Sequence, residues 1–105
     1  MAIFLDVMKE ELERNLLKQK VFSEELSNLP KGYLSICVIN NKRYLYRKER
    51  KGSKIISIYV GVPEDNACLK AYDQREEYLR IKKSLKNLKN EERRLRKAIR
   101  DYEKL

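Results

Sequence analysis

The chain has 105 residues, which is enough for one hydrophobic core, so we predict a single domain over residues 1–105. Charged residues make up 39% of the sequence and the net charge is +9, whereas ordinary globular chains are about 25% charged. With only 3 Gly and 2 Pro, the composition is typical of long solvated helices, and the periodic apolar residues argue against disorder. The chain has no histidine and no serine-nucleophile, Walker or dinucleotide motif, so we expect no enzyme, no cofactor and no metal site.

The cysteines and the first residues bear on where the protein works. Cys37 and Cys68 lack CxxC spacing, and the short apolar start reaches an acid at Asp6, which does not fit a secretory signal. No apolar run approaches the roughly 20 residues of a membrane span. We therefore expect two reduced thiols in a soluble, cytoplasmic protein without a membrane partner.

The chain starts with a predicted helix over residues 3–28. Its end is set by Pro30, because the residue before a proline is disfavoured in the α region. Apolar residues follow steps of three and four, which is the helical period. The stripe comprises Leu5, Met8, Leu12, Phe22, Leu26 and Leu29, with Asn15 and Gln19 in its gaps.

Residues 33–61 alternate with a period of two and predict a three-stranded antiparallel meander, with turns at Asn40-Asn41 and at Lys51-Gly52-Ser53. We expect one face to pack on the helices through Leu34, Ile36, Val38, Tyr44, Tyr46, Ile56, Ile58 and Val60. The open face would then carry Ser35, Arg43, Arg47, Ser57 and Tyr59. A shift of one residue at the first turn would exchange the two faces of the middle strand.

A second, longer helix is predicted over residues 64–104. Pro63 and the acids that follow it suit a helix start, and the next five heptads contain neither Gly nor Pro. The apolar seam runs through Ala67, Ala71, Gln74, Tyr78, Ile81, Leu85, Leu88, Glu92, Leu95, Ile99 and Tyr102. The polar seam residues either set the register of the helices or mark where the seam meets solvent.

These elements predict an α+β fold in which the two helices form an antiparallel, coiled-coil-like pair on one face of the sheet. Because the second helix is longer, we expect it to overhang the first by roughly 10 to 15 residues at 1.5 Å per residue. Leu95, Ile99 and Tyr102, followed by Leu105, would then lack a partner within the chain. An open apolar seam favours self-association into a homodimer, unless this end of the helix frays.

The positive charge is concentrated in two blocks. Residues 29–62 contain eight basic residues and one acidic residue, and residues 82–105 contain ten and four. In the second block, one basic residue follows each seam position from Ile81 to Ile99, and we call this set the basic ridge: Lys82, Lys86, Lys89, Arg93, Arg96 and Arg100. The ridge is about 27 Å long at helical rise and suits contact with phosphates. Alternatively, it pairs with Glu10, Glu11 and Glu13 of the first helix.

The sheet supplies a second set of candidate nucleic-acid contacts. Strands read DNA grooves in several families, and Arg is the side chain that most often pairs with guanine. The candidates are Arg43, Arg47, Lys51, Lys54 and Tyr59. The alternative is an ordinary solvated sheet face.

The stretch YLSICVINNKRYLYRKERKGSKIISIYVG, residues 33–61, resembles the three-stranded arm-type DNA-binding sheets at the front of phage integrases and some transposases. It shares their tyrosine-bearing middle strand, basic second turn and closing Tyr-Val-Gly. It departs from them in its preceding long helix and in lacking a recombinase catalytic region. The resemblance implies a phage or mobile-element protein with DNA contacts by Arg43, Arg47, Lys54 and Tyr59.

We therefore expect a small non-catalytic accessory protein that binds nucleic acid, either DNA or RNA. A second hypothesis is a protein-binding inhibitor or adaptor of a nucleoprotein machine, for example an anti-CRISPR-like anti-defence protein of a phage. A third is a coiled-coil scaffold whose charge serves only to keep it in solution.

Overall fold

The computed structural model describes the backbone of residues 2–105 and the side chains of residues 3–105. Its elements are α1 (Ala2–Ser27), β1 (Tyr33–Ile39), β2 (Lys42–Lys51), β3 (Lys54–Gly61) and α2 (Asn66–Glu103). The predicted α+β order of helix, three antiparallel strands and longer helix is confirmed, and each boundary lies within two residues of the prediction.

The chain is made of two compact units. The helix-pair unit contains the residues up to Asn28 together with Arg80–Leu105, and the sheet unit contains Leu29–Leu79. The helix α2 contributes residues 66–79 to the sheet unit and residues 80–103 to the helix-pair unit. The single domain expected from chain length stays a prediction.

In the helix-pair unit, α1 and the second part of α2 run antiparallel. Lys9, early in α1, lies 3.4 Å from Glu103, whereas Asn15 bonds to the carbonyl of Leu88. Ile81, Leu85 and Ile99 are buried, and these are seam positions of α2. The structure thus confirms the predicted antiparallel pair of helices.

The predicted overhang at the end of α2 is wrong. Ile99 is only 9% exposed, and Leu95 and Tyr102 are half-buried, so the seam has partners within the chain near its end. The portion of α2 that lies outside the helix pair is residues 66–79, at the opposite end of the helix. Helix lengths fix how many residues are left over, but they do not fix at which end. Self-association through Leu95, Ile99 and Tyr102 stays a prediction, without the open seam on which it was based.

In the sheet unit, the strand order is β1-β2-β3, and both connections are two-residue loops. The first loop places Asn40 at φ 52° and Asn41 at φ 63°, the left-handed values of a type I′ turn, which matches the twist of the strands it joins. In the second loop, Gly52 takes φ 63°. The turns expected at these positions are therefore present.

One face of the sheet packs against the first part of α2. Leu45 in the central strand is 1% exposed, and Cys68 of α2 is fully buried close to Gly61 on the same face. The helix begins after Asp65, whose carbonyl accepts hydrogen bonds from the amides of Cys68 and Leu69. Further along, Arg75 donates a hydrogen bond to the carbonyl oxygen of Gly32, just before β1.

The middle strand has its faces exchanged relative to the prediction. The two-residue loop pairs Val38 with Arg43 and Cys37 with Tyr44, and paired residues share a face of the sheet. Arg43 and Arg47 therefore lie on the face of Leu45, which packs on α2, and Tyr44 and Tyr46 lie on the opposite face. The prediction that these tyrosines face the helices and these arginines the open side is wrong. It required a loop of three residues between β1 and β2, whereas the loop has two.

Candidate nucleic-acid interface

The basic ridge lies on the helix-pair unit, beside the buried seam of α2. Its six side chains are all exposed, and steps of four and three keep them on one stripe of an uninterrupted helix. Ile81 and Ile99, the seam residues that precede the two ends of the ridge, are buried. The ridge therefore lies on the solvent-exposed side of α2, next to the buried seam.

Two of the three α1 acids named in the alternative hypothesis, Glu10 and Glu11, form ion pairs with Arg14 of their own helix. On the ridge, the Nε of Arg96 lies 2.7 Å from Glu92 of the same helix. Arg93 donates a hydrogen bond to Asn90, one turn earlier. The ridge cations paired in this way use partners on α2, and the ridge keeps a positive excess.

An open groove of about 340 Å³ adjoins the second half of the ridge. It is lined by Leu12 of α1 and by Arg93, Arg96, Ile99 and Arg100 of α2. The groove therefore combines apolar side chains with three guanidinium groups. A guanidinium group can donate two parallel hydrogen bonds to the oxygens of one phosphate or carboxylate.

The sheet residues predicted to contact nucleic acid are not brought together. Arg43 lies 3.5 Å from Glu64 and Arg47 lies 3.0 Å from Glu49, and both arginines occupy the face that packs on α2. Tyr59 lies on the opposite face, where it pairs across the strands with Tyr46. The sheet candidates therefore do not form one contiguous site.

Lys51 and Lys54, the two remaining sheet candidates, face each other across the second turn. Both are exposed, and like charges directly opposite in a ladder are unfavourable in isolation. They mark the tip of the β2–β3 hairpin as a local centre of positive charge.

The exchange of faces brings tyrosines of all three strands to one surface, which the sequence analysis did not predict. The face of the sheet opposite α2, which we call the tyrosine face, carries Tyr33, Ser35, Cys37, Ile39, Lys42, Tyr44, Tyr46, Lys48, Arg50, Ile55, Ser57 and Tyr59. Tyr59 is 56% exposed and Tyr33 is 48% exposed. The Asn40-Asn41 pair in the sequence could have predicted this arrangement. A two-residue loop at these positions pairs Ile39 with Lys42, which places both tyrosines of β2 on this face.

The tyrosine rings of neighbouring strands contact each other. The centroids of Tyr46 and Tyr59 lie 5.7 Å apart with an angle of 66° between the planes, and those of Tyr44 and Tyr59 lie 6.3 Å apart with an angle of 56°. Tilted pairs at this separation are favourable for aromatic quadrupoles. The three rings thus contact one another; Tyr59 is exposed, and Tyr44 and Tyr46 are half-buried.

Comparison of the chain with protein families, with curated proteins and with solved structures finds no significant match. The three-stranded antiparallel sheet itself agrees with the form of an arm-type sheet. Over the described residues, neither helix is long and apolar enough to cross a membrane. The same part of the chain holds no cluster of three or more side chains suited to a metal ion.

Proposed function

We propose that this protein is a non-catalytic nucleic-acid-binding protein that contacts phosphates through the basic ridge of α2. The observation that carries the proposal is the stripe of six exposed cations beside a buried seam. A row of cations about 27 Å long matches a polyanion better than a single anionic group, because each phosphate contact releases condensed counterions.

The ion pairs seen in α1 favour a ligand-binding role for the ridge over pairing with α1. Two of the three α1 carboxylates that were expected to face the ridge, Glu10 and Glu11, are engaged by Arg14, and Arg96 pairs with Glu92 of its own helix. Crowding of exposed like charges along a helix costs stability, so a surface of this kind is favoured when a partner neutralises it. An anionic polymer supplies that neutralisation along the whole stripe.

The resemblance to arm-type sheets of integrases is a weaker support. It implied DNA contacts by Arg43, Arg47, Lys54 and Tyr59, and these residues are divided between two faces, because Lys54 shares the face of the arginines and Tyr59 lies on the opposite one. The phage or mobile-element origin that goes with the resemblance is likewise a proposal. The proposed function therefore depends on the ridge and not on the resemblance.

A second candidate function is a protein-binding inhibitor or adaptor of a nucleoprotein machine. It is favoured by apolar side chains left exposed on the first turns of α1, where Ile3 is 76%, Phe4 66% and Val7 50% exposed. Large apolar side chains that cluster in water are typical of protein interfaces, and a second copy of the chain would also satisfy them.

The test is fluorescence anisotropy with a labelled duplex DNA, a single-stranded DNA and a hairpin RNA, titrated from low to physiological salt. A ridge variant with Lys86→Gln, Lys89→Gln, Arg93→Gln and Arg100→Gln leaves the Arg96–Glu92 pair intact. A control variant with Lys83→Gln, Arg94→Gln, Lys97→Gln and Lys104→Gln removes the same charge from exposed positions outside the ridge.

We expect the unchanged protein to bind nucleic acid near 0.15 M salt. For duplex DNA, the slope of log affinity against log salt should be smaller by about 3 to 4 in the ridge variant, because each phosphate that is no longer neutralised contributes roughly 0.9. The control variant should change the slope much less. Equal effects of the two variants, or no binding by the unchanged protein near 0.15 M salt, would overturn the proposal and direct the search to a protein partner.

A further inference from the structure

We infer that the tyrosine face binds unpaired bases by stacking, which makes single-stranded nucleic acid the preferred ligand of this protein. The inference rests on the proposed function and adds a ligand class to it. It concerns a different unit of the chain from the basic ridge, so the two can be tested by separate substitutions.

The three clustered rings form the centre of the tyrosine face. Tyr44 and Tyr46 are two residues apart on β2, about 6.8 Å along the strand, and Tyr59 lies opposite Tyr46 on β3. Contacts of Tyr59 with the other two rings restrict the freedom of these side chains, which reduces the entropy cost of binding a ligand. Tyr33 adds an exposed ring on β1, so all three strands contribute an aromatic group to this face.

The charged side chains of the tyrosine face are all cations. The same face carries Lys48 near its centre, and Lys42 and Arg50 follow at the two ends of β2. No acidic residue is present among the described strand residues that share this face, because Glu49 lies on the opposite side with Arg47. Ile39 and Ile55 add exposed apolar side chains to the same face. An aromatic and apolar surface whose charged groups are all cations favours an anionic ligand that has flat apolar groups.

The charge and the rings of this face favour unpaired bases over two other occupants, a second copy of the chain and a duplex. A second copy of the same face would bring its lysines and arginine against those of the first, and like charges across an interface are unfavourable. Duplex nucleic acid offers phosphates, but its bases are already stacked on each other. Unpaired bases, by contrast, present free planes to tyrosine rings while the backbone remains near the cations.

The experiment uses the full chain and matched substitutions at two positions. In one variant Tyr46→Leu and Tyr59→Leu remove the rings but keep apolar side chains, and in the control Tyr46→Phe and Tyr59→Phe keep the rings without the hydroxyls. Affinity is measured by anisotropy for a labelled single-stranded DNA of about 20 nucleotides, the equivalent RNA and a duplex of the same length, a span similar to known single-strand site sizes.

We expect the unchanged protein to bind a single strand at least about 5-fold more tightly than the duplex at 0.15 M salt. The leucine variant should lose roughly 5- to 150-fold in single-strand affinity for each base no longer stacked, with its salt slope unchanged. The phenylalanine variant should remain within about 2-fold of the unchanged protein, because the stacking ring is kept. Equal affinity for single strand and duplex, or no loss in the leucine variant, would overturn the inference.

Failure of this inference and failure of the proposed function give different results. If the ridge variant loses salt dependence but the leucine variant binds normally, phosphate binding stands and stacking does not. Circular dichroism of each variant checks that it is folded. If the leucine variant does not fold, nitration of Tyr59 in the unchanged protein replaces it: protection by a single strand and not by duplex supports the inference, and no protection contradicts it.

Discussion

Asn15 donates a hydrogen bond from its side-chain nitrogen to the main-chain carbonyl oxygen of Leu88, 2.9 Å away on the opposing helix. Its side-chain oxygen accepts a hydrogen bond from Gln19 at 2.6 Å, so both polar ends of a residue that is only 2% exposed are satisfied. Buried polar residues in helix seams are favourable only when such partners align. The Asn15 side chain therefore fixes the register between α1 and α2 at Leu88.

The buried Asn15 side chain should contribute to the stability of the protein. Asn15→Ala should lower the free energy of unfolding by about 1–3 kcal/mol, because it opens a small cavity and leaves the Gln19 amide with one partner fewer. The measurement is urea unfolding followed by circular dichroism. Lys18→Ala, an exposed position on the same helix, is the control and should change stability by less than about 0.5 kcal/mol. Equal effects of the two substitutions would show that the amide does not stabilise the helix pair.

Glu92 makes the stability of the helix pair depend on pH. A hydrogen bond from Gln19 at 2.8 Å, and then one from Arg96, hold the pKa of the Glu92 carboxyl below its usual range. A lowered pKa in the folded state stabilises the protein fully above the ordinary glutamate value of 4.5, and this contribution is lost as the pH falls through the folded-state pKa.

We therefore expect the melting temperature to fall more steeply between about pH 5 and pH 3 in the unchanged protein than in a Glu92→Gln variant. Other carboxylates titrate in both proteins, so the difference between the two curves isolates Glu92. Glu91→Gln removes the same charge from an exposed neighbouring position and should leave the steep fall intact. Parallel curves for all three proteins would contradict a stabilising role for the ionised Glu92.

The order and the limits of the elements were predictable because they depend on local sequence. Pro30 ends α1, two asparagines form a turn, and a helix without Gly or Pro continues for 38 residues. Periods of two and of about 3.6 are properties of a single segment, and they require no knowledge of its neighbours. The basic ridge was predictable for the same reason, because the spacing of its residues along one helix is enough to place them on one stripe.

Pairing between segments was harder to predict. The faces of β2 depend on whether the loop contains two residues or three, and one residue moves Tyr44 and Tyr46 from one side of the sheet to the other. The overhang of α2 depended on which end of a long helix pairs with α1, and the Lys9–Glu103 contact shows that it is the last part. In both cases the periodicity of the sequence correctly predicted the element, but it did not determine which residues of two elements lie opposite each other.

The first turn controls that register, so a substitution within it should affect the whole sheet. Asn41→Val should destabilise the protein by about 1–2 kcal/mol, because φ 63° is unfavourable for a β-branched residue. Asn41→Gly, which has no side chain to clash, is the matched control and should keep stability within about 0.5 kcal/mol. The check is thermal unfolding by circular dichroism. Tolerance of valine at this position would mean that the turn is not held in the left-handed conformation.

The two cysteines should differ in reactivity. Burial raises the pKa of the Cys68 thiol, and the Asp65 and Glu64 carboxylates raise it further, whereas Cys37 is half-buried on the tyrosine face. Because the thiolate is the reactive form, we expect a disulfide reagent at about pH 8 to modify one thiol rapidly and the second only on unfolding. Cys37→Ser should abolish the rapid phase, while two rapid thiols in the unchanged protein would contradict the burial of Cys68.

The reaction rate of Cys37 should also respond to a ligand on the tyrosine face. Cys37 lies opposite Tyr44, whose ring contacts Tyr59, so a single strand stacked on these tyrosines should slow the rapid phase severalfold. Duplex DNA held only by the basic ridge should leave the rate unchanged, because no ridge residue belongs to the sheet unit. Stopped-flow measurement of the rapid phase with each ligand at saturation checks this. Equal slowing by both ligands would place duplex on the tyrosine face and contradict stacking as the basis of selection.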